Sequence, residues 1–387
     1  MEDVPLASSA VEVPRSRIRE LANIAFGMEG VLRLHFGESN LPTPQFIVDA
    51  ASRAMEEGYT FYTENAGLPS LRSAIADKYA ELHEVDLDPP SEVLVTASGV
   101  QALNVGIRCV INPGDEAIVL TPNWPNASSN VSLCGGKPVE VPFAMSGDGF
   151  AIDFTALEDV VSPRTRLFVY ASPSNPLGWV ATTSDQQRIL DFCRRHRLWL
   201  LADEVYERLY FSGPVAPSIL KLCTRSDAVM VAHSFSKSYC MTGWRLGWLV
   251  SRPDLVGQAA ELNEFIVSHA PSMVQRAGEV ALREGEDSVR RMAEAIRERV
   301  LFCYEALSSI DSVWVARPEG AFYLFPRIHG VEDSFSFARG LLESEGVSVA
   351  PGVAFGNGGE GSIRICAAAD RSILEPAMER LRSYLEG

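Results

Sequence analysis

The sequence predicts an α/β protein, with a large domain built on a mostly parallel sheet covered by helices and a smaller α+β domain assembled from both chain ends. Three observations lead there. From about residue 92 short β-rich runs alternate with helical patterns, as βαβ units do. The runs "FVY", "LWLLA" and "VMVAHS" are continuously apolar, which suits strands buried on both faces of a parallel sheet. After about residue 253 the pattern changes to long helices and then to a second α+β stretch.

The elements follow in chain order. "EVLVTAS" reads as a strand, "GVQALNVGIRCVI" as a helix and "DEAIVLTP" as the next strand; "TRLFVYASP", "SDQQRILDFCRRHR" and "LWLLADEVY" repeat the alternation. Thr183-Ser184-Asp185 cap the helix whose apolar face carries Ile189, Leu190 and Cys193. In "SVRRMAEAIRERVLFCYEALSSI", Met292, Ile296, Val300, Leu301 and Tyr304 recur at helical spacing. "AFYLFP", "FARGLLESEG" and "SIRICAAA" form the closing unit. These shifts divide the chain into 1–45 (N-terminal segment of the small domain), 46–284 (large domain) and 285–387 (C-terminal part of the small domain).

Composition narrows the partners. With 387 residues, 47% of them hydrophobic, the chain can bury a large core. Fifty acids against 34 Lys plus Arg, a net charge of −16, leave no basic face for nucleic acid or an anionic membrane, so small molecules are the expected partners. No apolar run approaches a membrane span, and "MEDVPLASSAVEVPRSRIRE" lacks the pattern of a signal peptide, so the cytoplasm is the expected compartment. Seven scattered cysteines without C-x-x-C spacing read as reduced thiols, and no metal site is expected. "GNGGEG", Gly356 to Gly361, satisfies G-x-G-x-x-G, but a β-rich run follows it rather than a helix, so it reads as a flexible loop.

Polar groups gather at strand ends. "VMVAHS" places Ser234, Ser236 and Lys237 at the carboxyl edge of the sheet, where open α/β sheets bind ligands, with Arg245 eight residues beyond Lys237. Hydroxyls and positive charge suit a phosphate, and a half-buried lysine can act as an amine nucleophile. A surface lysine in a Ser-rich turn fits this segment equally well. "LWLLADEVY" delivers Asp203 and then Tyr206; the bland reading of the acid is a helix cap. "YASPSNPLG" brings Asn175, otherwise a plain turn residue, and "TPNWPN" brings Trp124, otherwise simple packing. "TASGVQAL" opens a helix after a strand, an anion-binding geometry. Singly, each bland reading wins. Together they supply a phosphate cradle, a stacking ring, an acid, a phenol, an amide and a lysine, and pyridoxal phosphate can use all of them.

With these motifs the chain resembles the class I and II aminotransferases, enzymes of the pyridoxal-phosphate-dependent transferase fold with its seven-stranded type of sheet. The resemblance covers nearly the whole sequence. "SFSKSYCMTGWRLGW" is similar to the family's lysine signature, which implies that Lys237 forms the Schiff base with pyridoxal 5′-phosphate. It implies further that Ser234, Ser236, Arg245 and the backbone amides near Gly99, Val100 and Gln101 hold the phosphate, while Asp203 pairs with the pyridine nitrogen. Tyr206 and Asn175 would bond the ring's phenolic oxygen, and Trp124 would stack on the ring. "GYTFYTENAGLPSLR" resembles the segment whose tyrosine, here Tyr62, reaches the phosphate of a partner subunit, which implies a homodimer with shared active sites. "GSIRICAAA" resembles the element whose arginine, here Arg364, grips the substrate α-carboxylate. Asn175 and Gly37, the latter in "LHFGESNLPTP", would also meet the substrate, and "PEGAFYLFP" is a further family element.

The implied activity is transfer of an amino group from an L-amino acid to a 2-oxo acid, with Lys237 moving the proton as general acid and base. Two departures bear on the donor. Val100 stands where an aspartate-specific branch carries a lysine, and "NPLG" replaces "NPTG", which points to a neutral, aromatic or unusual donor. An eliminating carbon–sulfur lyase on the same fold would use the same residues. A non-catalytic sensor fused to a DNA-binding module is disfavoured by the acidic charge and by the lack of a basic helix-turn-helix before residue 30.

Overall fold

The structure, a computed structural model, describes residues 15–387 together with residues 4, 6 and 11. Its centre is a seven-stranded sheet: β1 (Val93–Thr96), β2 (Glu116–Thr121), β3 (Lys137–Pro142), β4 (Thr165–Ala171), β5 (Trp199–Asp203), β6 (Val229–Ser234) and β7 (Gly247–Ser251). The spatial order is β1-β7-β6-β5-β4-β2-β3. β7 alone runs antiparallel to both neighbours, and the remaining pairs are parallel. The continuous apolar runs are explained by burial on both faces: every residue of β1, β2, β6 and β7 is buried. One face packs Val93, Phe168, Leu200 and Trp248 against the helices Pro69–His83 and Thr183–His196. The other packs Leu94, Val119, Leu201 and Leu249 against Gly99–Val110 and Pro253–Glu264.

The helix Thr183–His196 takes in the three residues expected to cap it; its N-cap is Thr182, in a reciprocal capping box with Asp185. It buries Ile189, Leu190 and Cys193 as its pattern requires. In Glu286–Ser308 the inward stripe is Val289, Met292, Ile296, Val300, Cys303 and Leu307; Leu301 and Tyr304 flank it, half-buried. The Gly-rich segment is a loop, with Gly356, Gly358 and Gly361 at positive φ, and it enters the strand Ile363–Cys366 rather than a helix.

Both chain ends build the second unit. Leu32–Arg33 pairs in parallel with Val347–Ser348, and the Cys366 amide donates to the Leu34 carbonyl. Leu21, Ala25 and Leu34 share one core cluster with Ile296, Leu341, Ile365 and Leu381.

One glycine locks the sheet to the helix beneath the cleft. A Cβ on Gly247 would lie 2.5 Å from the Gly99 nitrogen and 2.6 Å from the His233 carbonyl oxygen, all backbone atoms that cannot swing aside. Gly247→Ala should therefore destabilise the protein by about 1–3 kcal/mol, the usual cost of overpacking. A urea melt beside the wild type checks this, and an unchanged midpoint would contradict it.

Candidate active site

Parallel strands all release their carboxyl ends on one edge, and there the polar residues converge. Ser98 follows β1, Trp124 follows β2, Asn175 follows β4, Asp203 ends β5 and Ser234 ends β6. All of these but Ser98 border a cleft of about 390 Å³ that also receives Gly37, Gly99, Val100, Tyr206, Ser236, Lys237, Arg245 and Arg364. A larger hollow of about 550 Å³, beside Trp179, Arg297 and Arg317, is lined by no lysine or cysteine.

Lys237 reaches the cleft because a short helix, Phe235–Ser238, begins directly after β6. Ser234 caps it, its hydroxyl accepting from the Ser236 amide at 3.1 Å and donating to the Ser236 hydroxyl at 2.9 Å. Lys237 Nζ donates to the Gly37 carbonyl at 2.5 Å and stands 5.8 Å from the Tyr206 ring centroid. Burial disfavours its charged form and pulls it down to about 8. Asp203 shows the converse: burial pushes its carboxyl up to about 6, against the pull of the Val205 amide and of Lys237.

The second unit contributes the opposite wall. Arg364, 2% exposed, donates from Nη1 to Asn175 Oδ1 at 3.0 Å and from Nη2 to the His35 carbonyl at 2.5 Å. Its guanidinium lies 4.6 Å from the Tyr323 ring centroid and 4.9 Å from that of Phe355. Arg364 Nε has no partner among the described residues. The Tyr206 and Tyr323 hydroxyls share a hydrogen bond of 2.7 Å.

Backbone shape prepares the end near Ser234. Ser98 caps Gly99–Val110 at φ 116°, a conformation that costs a non-glycine residue about 1–3 kcal/mol and that recurs at functional sites. A Cβ at Gly99 would come within 3.1 Å of the Ser234 Cβ, so glycine keeps the helix start against β6. Arg245, at φ 58°, donates to the Thr242 carbonyl.

Two expected residues stand apart. The Gln101 side chain turns to Asn263 at 3.2 Å, and its amide donates to the Ser98 hydroxyl. Tyr62 is 92% exposed, outside the cleft, with His269 edge-on at 5.6 Å. Tyr323, Phe36 and Arg19 also line the cleft, and residue-level reasoning missed them. Tyr323 sits in "PEGAFYLFP", which reads from the sequence only as a further family element. Arg19 lies in an amphipathic N-terminal helix that offered no strand end to flag it.

Behind the cleft lies a buried ionic cluster. Glu207 meets Lys78 Nζ in direct contact and His83 Nε2 at 2.9 Å; all three side chains are buried. His233 Nε2 lies 3.1 Å from Glu207 without hydrogen-bond alignment, and its ring stacks on Trp248 at 4.1 Å. Burial holds both imidazoles neutral, with His83 lowered to about 3.

Comparisons with known proteins identify the family. Residues 29–381 fit the family model described as aminotransferase class I and II. The chain belongs to the class I and II aminotransferases. It is 34% identical to an aspartate aminotransferase of Pyrococcus horikoshii, over 99% of this chain and 97% of that protein. It is 33% identical to aromatic-amino-acid aminotransferase 2 of Thermococcus litoralis, over 96% of each. A solved alanine aminotransferase of Pyrococcus furiosus superposes with a TM-score of 0.92 at 28% identity, covering 99% of this chain and 100% of that one. Family members transaminate amino acids and 2-oxo acids with pyridoxal phosphate, and this aminotransferase is an enzyme of that class, with the fold its sequence predicts. Among the described residues no helix is long and apolar enough to cross a membrane.

The raised Asp203 carboxyl makes a pH-dependent prediction. Its folded value, about 6, lies above the ordinary 3.8, so the native state binds more protons between the two and this group's contribution to stability falls as pH rises from about 4 to about 6. Asp203→Asn removes that loss. In urea melts of the cofactor-free protein, the variant's advantage should grow across this window and level off above it; a pH-independent difference would contradict the assignment.

Proposed function

We propose that the cleft binds pyridoxal 5′-phosphate and that Lys237 is the amine that bonds its aldehyde. The observation that carries this reading is the half-buried Lys237 amine, lowered to about 8, facing the same cleft as the half-buried Asp203 carboxyl and the buried Arg364. The residues fit that group. Asp203 accepts one backbone amide and has room for a cationic partner, Arg364 Nε awaits an acceptor, and two serines, Arg245 and a helix start meet at one end.

Bound there, pyridoxal phosphate supplies an aldehyde for the amine and a protonated ring that draws electrons from the carbon carrying it. Ser234, Ser236, Arg245 and the amides of Gly99, Val100 and Gln101 hold the phosphate in this reading, Gln101 by exchanging its bond to Ser98. Asp203, as a carboxylate, keeps the ring nitrogen protonated. Asn175 and Tyr206 donate to the ring's phenolic oxygen, and Trp124 covers one ring face. Arg364 clamps the substrate α-carboxylate with two parallel hydrogen bonds, fixing the Cα–H bond toward Lys237. Gly37 would meet the substrate through its backbone, and its missing side chain makes room for Tyr323, since a Cβ there would lie 2.1 Å from the Tyr323 hydroxyl. Once the substrate amine takes its place on the aldehyde, the freed Lys237 Nζ would take the proton from Cα and return it to the cofactor side as general base and acid. Residues 46–284 carry the cofactor in this reading, while 1–45 and 285–387 supply the wall that carries Gly37 and Arg364.

A homodimer acting in the cytoplasm completes the proposal. Tyr62, Phe61 and Phe265 are each at least 80% exposed, and Ile266 and Val267 add to this apolar surface, which suits burial against a second copy. Tyr62 would then serve the partner's phosphate.

Lys237→Ala should lose the cofactor's near-visible absorbance and all transfer from an amino-donor panel to 2-oxoglutarate or pyruvate; a yellow, active variant would refute Lys237. Pyruvate and ammonia from cystathionine without an acceptor would indicate the lyase instead. Sedimentation of the wild type should give a dimer, and Tyr62→Phe should bind the cofactor on the order of tenfold more weakly, the loss of one charge-assisted hydrogen bond. A monomer with unaltered affinity would contradict the shared site.

A further inference from the structure

We propose that Glu207, paired with Lys78 behind the cleft, is a positioning residue for the cofactor site, holding Asp203, Tyr206 and Ser234 in place through their chain neighbours. This rests on the reading of the cleft given above.

The connection is sequential as well as spatial. Glu207 follows Tyr206 and Glu204 follows Asp203, while His233 precedes Ser234. At the end of a strand successive side chains leave on opposite sides, so Glu204 and His233 leave the cleft that Asp203 and Ser234 border. The turn after β5 brings Glu207 beside His233. The Glu207 carboxylate contacts Lys78 and His83 of the helix Pro69–His83 and lies 3.1 Å from His233 of β6. His233 Nδ1 accepts the Ser234 amide at 2.8 Å, so its ring and the Ser234 backbone move together. The stack on Trp248 fixes that ring further, and Lys78 Nζ lies 5.6 Å from the Trp248 ring centroid. Arg208, the next residue, bonds Glu286 through both terminal nitrogens and ties the segment to Glu286–Ser308. The Glu204 carboxylate accepts the Ile219 amide at 2.9 Å and anchors the other side of the turn.

A buried ion pair is a poor source of stability. Replacing both partners by apolar side chains of similar volume is commonly neutral or stabilising, whereas removing one leaves an uncompensated charge. If the pair served the fold alone, its apolar replacement would leave the cleft unaffected. If it serves placement, the protein keeps its stability and loses grip on the cofactor.

The test is the double variant Lys78→Met, Glu207→Leu beside Glu207→Gln, each prepared without cofactor and titrated with pyridoxal phosphate by absorbance. The double variant should melt at or above the wild-type temperature yet bind the cofactor about 10- to 100-fold more weakly, with a shifted pH midpoint of the bound cofactor's absorbance. Glu207→Asp, which keeps the charge, should recover part of the affinity. A double variant with wild-type affinity and pH midpoint overturns the proposal, whatever Glu207→Gln does to folding. Wild-type protein that takes up no pyridoxal phosphate would sink the reading of the cleft and this proposal with it, a different result from the one that sinks the proposal alone.

Discussion

The site depends on burying an acid and an amine at one sheet edge without their usual partners. Asp203 and Lys237 are both pushed toward neutrality by burial, to about 6 and about 8. Neither group gains from the fold in this state, and each would gain from a guest that brings a ring cation or a carbonyl carbon. The parallel topology makes this possible, because only parallel strands release their carboxyl ends, and so their loop residues, on one side.

That arrangement needs support. On the front, Gly247 and Gly99 bring β7, β6 and the start of Gly99–Val110 within backbone contact, and the Ser98 conformation is held by the Thr96 hydroxyl, which donates to the Ser98 carbonyl. On the back, the Glu207 cluster joins the turn after β5 to β6 and to the helix Pro69–His83. The second unit adds Arg364, whose bond to Asn175 spans the cleft from strand Ile363–Cys366 to the loop after β4.

Relatives of nearly equal similarity carry the names of aspartate, aromatic and alanine aminotransferases. Overall likeness therefore ranks the donors poorly. In the proposed reading the selective contacts would lie in the few side chains that line the cleft beyond Arg364. Val100 and Phe36 are apolar there, and Arg19, stacked 4.9 Å over Phe36, is a guanidinium at the cleft's edge.

The amino-acid sequence by itself determined the alternation of strands and helices, since hydrophobic periodicity and caps are local. It also determined which strand ends carry polar groups, because an acid, a serine or an asparagine closing an apolar run is visible without coordinates. Lys237, Asp203, Asn175 and Arg364 were legible on those grounds or through the family resemblance. Only the tertiary structure decided that β7 runs antiparallel, that Arg364 and Asn175 touch, and that Tyr206 shares its hydroxyl with Tyr323. These are contacts between residues distant in the chain, and a one-dimensional pattern holds no record of them. The Glu207 cluster shows the limit best: Lys78, His83, Glu207 and His233 each look like an ordinary polar residue beside an apolar run, and only burial in a shared interior makes them one polar unit around an ion pair.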